Sequence, residues 1–317
     1  MKTVQFVNGD HMPVIGLGTW KSNPGEVYNA VKEALRLGYR HIDCAPIYGN
    51  EAEIGRALNE SFKEGVVSRD QLWITSKLWN NAHAPKDVQP ALEKTLSDLK
   101  IDSLNLFLVH WPVAINREVL FHKSAADLIS LDSEPISNTW SAMETLVDKG
   151  LCEHIGVSNF SVAKLEALLK TATLMPEMNQ IELHPYLQQP KMLDYCKSEN
   201  IHLTAFAPLG SADRPDRLKL DGEPVLLEDP VIQQIADRHN ATPAQILISW
   251  AAHRQTVVIP KSAKPQRIKQ NLEAIDVSLS TTDMQEIAAL DRHRRYISGS
   301  FWVMDGGPYT IKNLWDE

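Results

Sequence analysis

Cysteine is scarce. The 317 residues contain three, Cys44, Cys152 and Cys196, an odd number with no CxxC spacing. That excludes a disulfide framework and leads us to expect free thiols in a reducing compartment. Long apolar runs are missing as well. The uncharged stretch 104–116 is too short to span a bilayer, and the opening MKTVQFVNGD carries no apolar signal core. The expectation is a cytoplasmic protein with no membrane partner. Positive charge is in deficit, with 32 Lys and Arg against 40 Asp and Glu, a formal net charge of −8. Such a balance argues against nucleic acid as a partner, and it means that any anionic ligand must be gripped by a local cationic cluster. Several motifs fail too. Gly16-Leu17-Gly18 runs into Thr19-Trp20-Lys21, so no complete GxGxxG exists, and HExxH, GxxxxGK[ST] and GxSxG are absent. Glu182 and His184 have no third ligand at a convincing spacing, so no metal is expected.

What is present is a rhythm. The chain is 43% hydrophobic and 23% charged, as expected of a globular protein. Apolar runs of about four to seven residues recur at 14–18, 40–43, 72–76, 104–110, 153–158, 178–183, 201–206 and 256–260. They are rich in Ile, Val and Leu and do not alternate strictly, which is how strands buried on both faces read. Between them lie amphipathic stretches with legible ends. Residues 25–37 place Val27, Ala30, Val31, Ala34 and Leu35 on one face before Gly38, and 87–99 repeat the pattern with Val88, Leu92, Leu96 and Leu99. Ser161 reads as one helix cap, and Thr242 before Pro243 as another. No Gly/Ser-rich linker divides the chain. Eight strand–helix units at a spacing of roughly 35 residues predict an α/β fold, a (β/α)8 TIM barrel in one domain over 1–317. An N-terminal β-hairpin, 3–6 turned by Asn8-Gly9-Asp10, stands outside that count. Two long irregular segments, 113–135 and 292–317, are expected to lean over the C-terminal mouth.

A barrel keeps its chemistry at the C-terminal ends of its strands. In order, those positions carry Thr19-Trp20, Asp43 with Tyr48 and Asn50-Glu51, Lys77 with Trp79, His110-Trp111, Ser158-Asn159, Gln180, Phe206 with Leu209 and Ser211, and Lys261-Ser262 with Arg267. Taken singly, Tyr48 is a loop aromatic, Lys77 a solvated strand end, Asp43 a turn former and His110 a core histidine. Four complementary groups at successive strand ends are a catalytic set. Burying Asp, Tyr, Lys and His in one mouth is costly unless each group is used.

GLGTW, RHIDCAPIYGNE, TSKLW, LFLVHWP, IGVSNF, NQIELHPY, APLGS and IPKS, with Arg267 and Asn271 following, resemble the aldo-keto reductase family, in particular its aldehyde reductase and aldose reductase branch. The resemblance runs from about residue 12 to about residue 290, in the family's order and spacing. It implies NADPH-dependent reduction of aldehydes, aldoses among them, and of some ketones. By that resemblance Tyr48 is the proton donor, Lys77 lowers its pKa, Asp43 pairs with Lys77, and His110 donates a hydrogen bond to the substrate oxygen. A cationic neighbour does favour a phenolate, and an aimed donor can be worth on the order of 3 kcal/mol of barrier.

The resemblance also implies a cofactor site for NADPH/NADP+. Ser158, Asn159 and Gln180 would meet the nicotinamide carboxamide, and Phe206 would stack on the ring. Thr19, Trp20, Leu209, Ser211 and Asp213 would line the path of the chain, with Lys261, Ser262 and Arg267 at a 2′-phosphate and Asn271 at the adenine. Many relatives place tyrosine and serine where this chain has Phe206 and Ala207, so the hydrogen bonds of those hydroxyls are absent. Trp20, Trp79, Trp111 and Phe121 would wall an aromatic substrate pocket. Tyr28 and Lys32 fit a YxxxK pattern used by another reductase class, but no Gly-rich turn precedes them, and they read as surface residues. The alternative to an enzyme is a cofactor-binding regulatory or structural barrel with little turnover, which the intact set of four disfavours. Reduction of an enone carbon–carbon bond ranks lower, because relatives with that activity carry glutamate where this chain has His110. A small-molecule carbonyl partner and a monomer complete the expectations.

Overall fold

The computed structural model describes residues 2–317. Strands β1 (Thr3–Gln5) and β2 (His11–Pro13) pair antiparallel as the expected hairpin. Eight strands then form one parallel sheet. They are β3 (Leu17–Gly18), β4 (His41–Asp43), β5 (Trp73–Leu78), β6 (Leu104–Val109), β9 (Cys152–Ser158), β10 (Met178–Glu182), β11 (His202–Phe206) and β12 (Val257–Val258), in that spatial order. Parallel bridges from Ile15 to Val258 and from Gly18 to Lys261 bring the last strand back to the first. Gly18 is required at this closure, because a Cβ there would lie 2.7 Å from the Ile259 carbonyl oxygen. The eight-stranded barrel of the sequence reading is present, with strand ends shifted by up to three residues.

Helices α1 (Glu26–Leu37), α2 (Glu51–Lys63), α3 (Pro85–Leu99), α4 (Ile136–Asp148), α5 (Val162–Leu169) and α6 (Pro190–Ser198) return the chain after successive strands. The faces expected in α1 and α3 are the buried ones. Gly38 ends α1 at φ 104°, a left-handed turn that glycine adopts without strain. The Ser161 hydroxyl accepts from Lys164 N at 3.1 Å. Two helices precede β12, α7 (Pro230–Arg238) and α8 (Pro243–His253), and two more follow it, α9 (Pro265–Glu273) and α10 (Thr281–Ala288). Helices α7 and α10 exceed one helix per unit. Their signals were nonetheless written in the chain: Asp229 caps Pro230 at the first turn of α7, and Ser280 with Asp283 closes a capping box on α10.

The segments over the mouth carry more structure than an irregular reading allows. Residues 113–135 contain a short antiparallel ribbon, β7 (Ala114–Ile115) with β8 (Leu128–Ile129). The tail contains α11 (Ile311–Trp315), and Tyr309 ties it to the ribbon by accepting from Ala114 N at 2.8 Å. A third long connection, 207–229, was not anticipated; only two short 3-10 turns order it. Apolar packing differs between the ends. Phe6 and Met12 of the hairpin pack with Trp73, Leu106, Leu108, Met178 and Val257 and close the N-terminal end. At the other end Trp79, Trp111, Ile297, Trp302 and Trp315 form a separate cluster beside a cavity.

Candidate active site

Strand ends and their loops position the four central groups. Lys77 lies on β5 next to Asp43 of β4, and both are buried. A 3-10 turn over Pro46–Tyr48 carries the phenol back over them. The Lys77 ammonium has three N–H donors, and three acceptors surround it. These are Asp43 Oδ2 at 2.7 Å, the Cys44 carbonyl at 2.9 Å and the Tyr48 hydroxyl oxygen at 3.4 Å. Gln180 donates to the other oxygen of Asp43 at 2.8 Å, so the carboxylate is fixed from both sides.

Lys77 lowers the Tyr48 pKa as expected, but its pull is outweighed. Burial pushes the Tyr48 phenol up to about 12; Lys77 pulls against that rise, and Asp43 adds to it. The net effect is a weaker acid than free tyrosine, because burial outweighs the pull of Lys77, which Asp43 partly offsets. For Lys77 itself burial opposes the charge, but Asp43 and Tyr48 outweigh it and hold the pKa above its ordinary value. His110 is pressed the other way. Burial, then the Lys77 charge, then His83 hold it well below the usual imidazole range, so the ring is neutral at neutral pH. It stands edge-on to Tyr48 at 5.9 Å and to Trp79 at 5.2 Å between ring centres.

These groups open onto a cavity of about 830 Å³. Of the residues singled out from sequence, Thr19, Trp20, Asp43, Tyr48, Trp79, His110, Trp111, Phe121, Ser158, Asn159, Gln180, Phe206, Leu209, Ser211, Asp213, Lys261 and Arg267 all line it. Lys77 lies behind the lining. Ser262 and Asn271 are also off the wall: the Ser262 hydroxyl accepts from Lys264 N at 3.1 Å, and Asn271 is buried on α9 one turn beyond Arg267. Phe121 is 56% exposed and stands at the rim. Arg294 and Arg295, whose direction the sequence left open, pair with Glu223 at 3.5 Å and Glu317 at 2.6 Å and do not reach the cavity.

Sequence reasoning missed several walls. Ile297, Phe301 and Trp302 enter from the tail and His122 from the long segment after β6; nothing in their local pattern set them apart. Lys21 was more legible, an ammonium directly after the first strand end. It donates to Ser211 at 2.8 Å and to Asp213 at 2.5 Å, tying β3 to the segment after β11. Non-glycine residues with positive φ also gather here: Lys21 at 65°, Asn159 at 63°, Ala207 at 47° and Ser211 at 48°. Such backbone costs roughly 1–3 kcal/mol per residue and concentrates at ligand sites. Glu182, weighed as a metal ligand, instead accepts from Tyr296 N at 2.6 Å, Ile297 N at 2.8 Å and His184 at 2.8 Å. It anchors the tail wall to β10.

A closed parallel barrel with a buried Lys–Asp pair under a phenol and a neutral histidine, all facing a cavity at its C-terminal mouth, defines a barrel enzyme. The model of the aldo/keto reductase family matches residues 14–292, and the chain belongs to that family. It is 56% identical over 317 residues to an aldo/keto reductase of Synechocystis sp., covering 100% of this chain and 97% of that protein. It is 48% identical over 295 residues to aldo-keto reductase family 1 member A1 of Homo sapiens, covering 91% and 89%. Among solved structures, the aldose reductase from Schistosoma japonicum superposes with a TM-score of 0.87 at 39% identity, covering 96% of this chain and 97% of that one. The protein is therefore an oxidoreductase of the aldo-keto reductase type, a family whose members typically use NAD(P)H. No helix among the described residues is long and apolar enough to cross a membrane.

Proposed function

We propose that the protein reduces aldehydes, aldoses among them, and some ketones to alcohols with NADPH, as a monomeric cytoplasmic enzyme acting on small carbonyl compounds. The observation that carries this reading is the saturation of Lys77. Its ammonium donates to the Tyr48 oxygen, so the phenol's own proton is free to be given to a ligand in the cavity.

The donor set fits the cofactor. Asn159 Oδ1 is buried without a protein partner, an acceptor suited to a carboxamide N–H, and Ser158 and Gln180 stand beside it. Phe206 offers a ring face, and Lys261 and Arg267 offer the cations for a 2′-phosphate that a net-acidic chain must localise. When bound, the reduced nicotinamide supplies the hydride. The protein does the rest. His110, neutral, donates to the carbonyl oxygen and orients it, while Trp20, Trp79 and Trp111 exclude water around it. Tyr48 then delivers a proton to that oxygen. A phenol at about 12 remains protonated at neutral pH. It is still a far stronger acid than an alcohol, which resembles water with its pKa of about 15.7. A raised phenol pKa is thus compatible with the role, and Lys77 acts by keeping the rise small.

Replacing Tyr48 by Phe tests the reading. Loss of aldehyde-dependent consumption of reduced nicotinamide, by about 100-fold or more, with NADPH still bound as judged by fluorescence titration, is the expected result. Turnover at the wild-type rate in that variant removes Tyr48 as the acid.

A further inference from the structure

Four of the residues that line the cavity carry an enclosed side-chain nitrogen or oxygen with no partner in the protein: His110, His122, Asn159 and Trp302. The reduction accounts for His110 and Asn159. The other two lie together. The His122 ring rests on Trp302 with centres 5.1 Å apart and planes inclined by 31°. Trp302 stands 5.8 Å from Trp79, and Trp79 stands 5.2 Å from His110. Ring contacts therefore lead from the reacting end of the cavity out to His122. Around that outer end Trp111 and Phe301 pack on Trp302, and Phe121 packs on Trp79. Among these rings His122 alone is an imidazole, and it is half-buried. Its Nδ1 is enclosed; its Nε2 is not, and it has no hydrogen-bond partner among the described residues.

We propose that His122 is a specificity-determining residue, whose Nε2 hydrogen-bonds an uncharged hydroxyl at the end of the substrate remote from the carbonyl. The cavity would then favour aldehydes with an aromatic or alkyl body and a distal hydroxyl. A hydroxyl both donates and accepts, so it meets Nε2 in either tautomer of the ring. A few placed polar groups in an apolar pocket are what fix a small ligand's orientation. The charges select a neutral group. The cations that line the cavity, Lys21, Arg217, Lys261 and Arg267, come from the segments after β3, β11 and β12, whereas His122 follows β6 across the ring of strands. The tail cations Arg294 and Arg295 pair with Glu223 and Glu317. Lys123 is exposed and does not line the cavity. The turn after His122 instead holds a carboxylate. Asp127 Oδ2 accepts from Lys123 N at 2.8 Å and Ser124 N at 2.9 Å, bonds that keep it ionised. A carboxylate on the substrate would meet that charge with no lining lysine or arginine on the same side to offset it.

The inference rests on the reading of this cavity as a carbonyl-reducing site, and its test separates the two. The probes are 4-(hydroxymethyl)benzaldehyde against 4-ethylbenzaldehyde, and the corresponding pair of longer cinnamaldehydes. Each pair differs only by a hydroxyl in place of a methyl. His122→Phe keeps a ring on Trp302. It should lower the hydroxyl-to-ethyl ratio of kcat/KM by roughly 3- to 10-fold at one length or both, the range of one net hydrogen bond. The ethyl compounds themselves should change by less than about twofold. His122→Gln, which keeps a donor and an acceptor, should retain most of the ratio. A ratio unchanged in His122→Phe at both lengths overturns the proposal. So does a fall that comes wholly from faster reduction of the ethyl compounds, since the ring would then be only a polar obstacle. 4-Carboxybenzaldehyde should be the poorest of the short substrates; a preference for it that His122→Phe abolishes would overturn the choice of an uncharged group. Binding of the matching alcohols to the NADP+-loaded protein, followed by tryptophan fluorescence, reads the same ratio without turnover. A protein that shows the His122-dependent ratio in binding but reduces no aldehyde sinks the functional reading and leaves the hydroxyl site standing.

Discussion

The two ends of the barrel bury ionisable groups to the same degree and use them differently. At the N-terminal end His154 is 1% exposed. It contacts Glu177 through Nδ1 at 2.7 Å and Asp10 through Nε2 at 3.0 Å, and it stacks on Trp73 with ring centres 5.2 Å apart. Both ring nitrogens are spent on carboxylates. Asp10, Glu153 and His154 do bring ligand-type atoms within 4.8 Å of one another, but a cation there would have to displace the Asp10 bond. At the C-terminal end the charges are paired as well, Lys77 with Asp43. Capacity is nevertheless left over: the Tyr48 proton, the His110 ring and the Asn159 oxygen have no protein partner that uses them up. Burial of charge is common to both ends. Unspent hydrogen-bonding capacity facing a cavity belongs to one.

Removing the ammonium at the mouth should break that contrast hardest. Lys77→Met leaves Asp43 buried without its cation, which is expected to cost about 3–5 kcal/mol of stability. Aldehyde turnover should also fall by about 100- to 10,000-fold. Adding Asp43→Asn removes the stranded charge, so chemical denaturation should show most of the stability regained while activity stays lost. If turnover returned with stability, Lys77 would be a structural ion and nothing more.

Glu51 sharpens the comparison from the mouth side. It starts α2 and accepts from Ser76 at 2.6 Å and Thr95 at 3.1 Å, and neither partner carries charge. Burial raises its pKa from 4.5 to about 7. The folded state therefore holds this proton more tightly than the unfolded one. Its contribution is fully present below about pH 4.5 and is lost as pH rises to and through about 7. At about 1.4 kcal/mol per unit, roughly 3 kcal/mol is at stake. Glu51→Gln should match the wild type near pH 4.5 and exceed it by up to that amount above pH 8. Parallel stability curves across that range would show the carboxyl to be ionised throughout.

How much of this was legible follows from what each feature rests on. The barrel announced itself because strands buried on both faces must be short and apolar, and because caps such as Ser161 and Thr242 act through local bonds. The resemblance pointed to Asp43, Tyr48, Lys77 and His110 together, and the fold brings them within reach of one another. The height of the Tyr48 pKa was not legible, since it depends on how deeply the ring sinks and how far Asp43 offsets Lys77. Nor were His122, Ile297, Phe301 and Trp302, which reach the cavity through long segments whose path is set by tertiary contacts such as Glu182 with Tyr296 and Ile297. The capping signals of α7 were present and simply outweighed by the expectation of one helix per strand.

The smallest effect, and the most discriminating, belongs to the closed end. Burial works against a charge on His154, but Glu177 and Asp10 outweigh it and raise its pKa. A histidine raised on folding stabilises fully below its unfolded value of about 6.5 and loses that contribution as pH rises through the folded value. His154→Gln keeps a polar side chain but cannot carry charge. Its deficit should be about 1–3 kcal/mol near pH 6 and should shrink as the medium becomes alkaline, with aldehyde turnover per folded molecule unchanged. Thermal unfolding followed at several pH values, alongside an activity assay, reads both. Lost turnover with stability intact would mean that the hairpin end communicates with the mouth, and the division of labour between spent and unspent groups would no longer hold. A deficit that grew with pH would instead show that the folded protein binds fewer protons here than the unfolded chain, with the ring neutral between two ionised carboxylates.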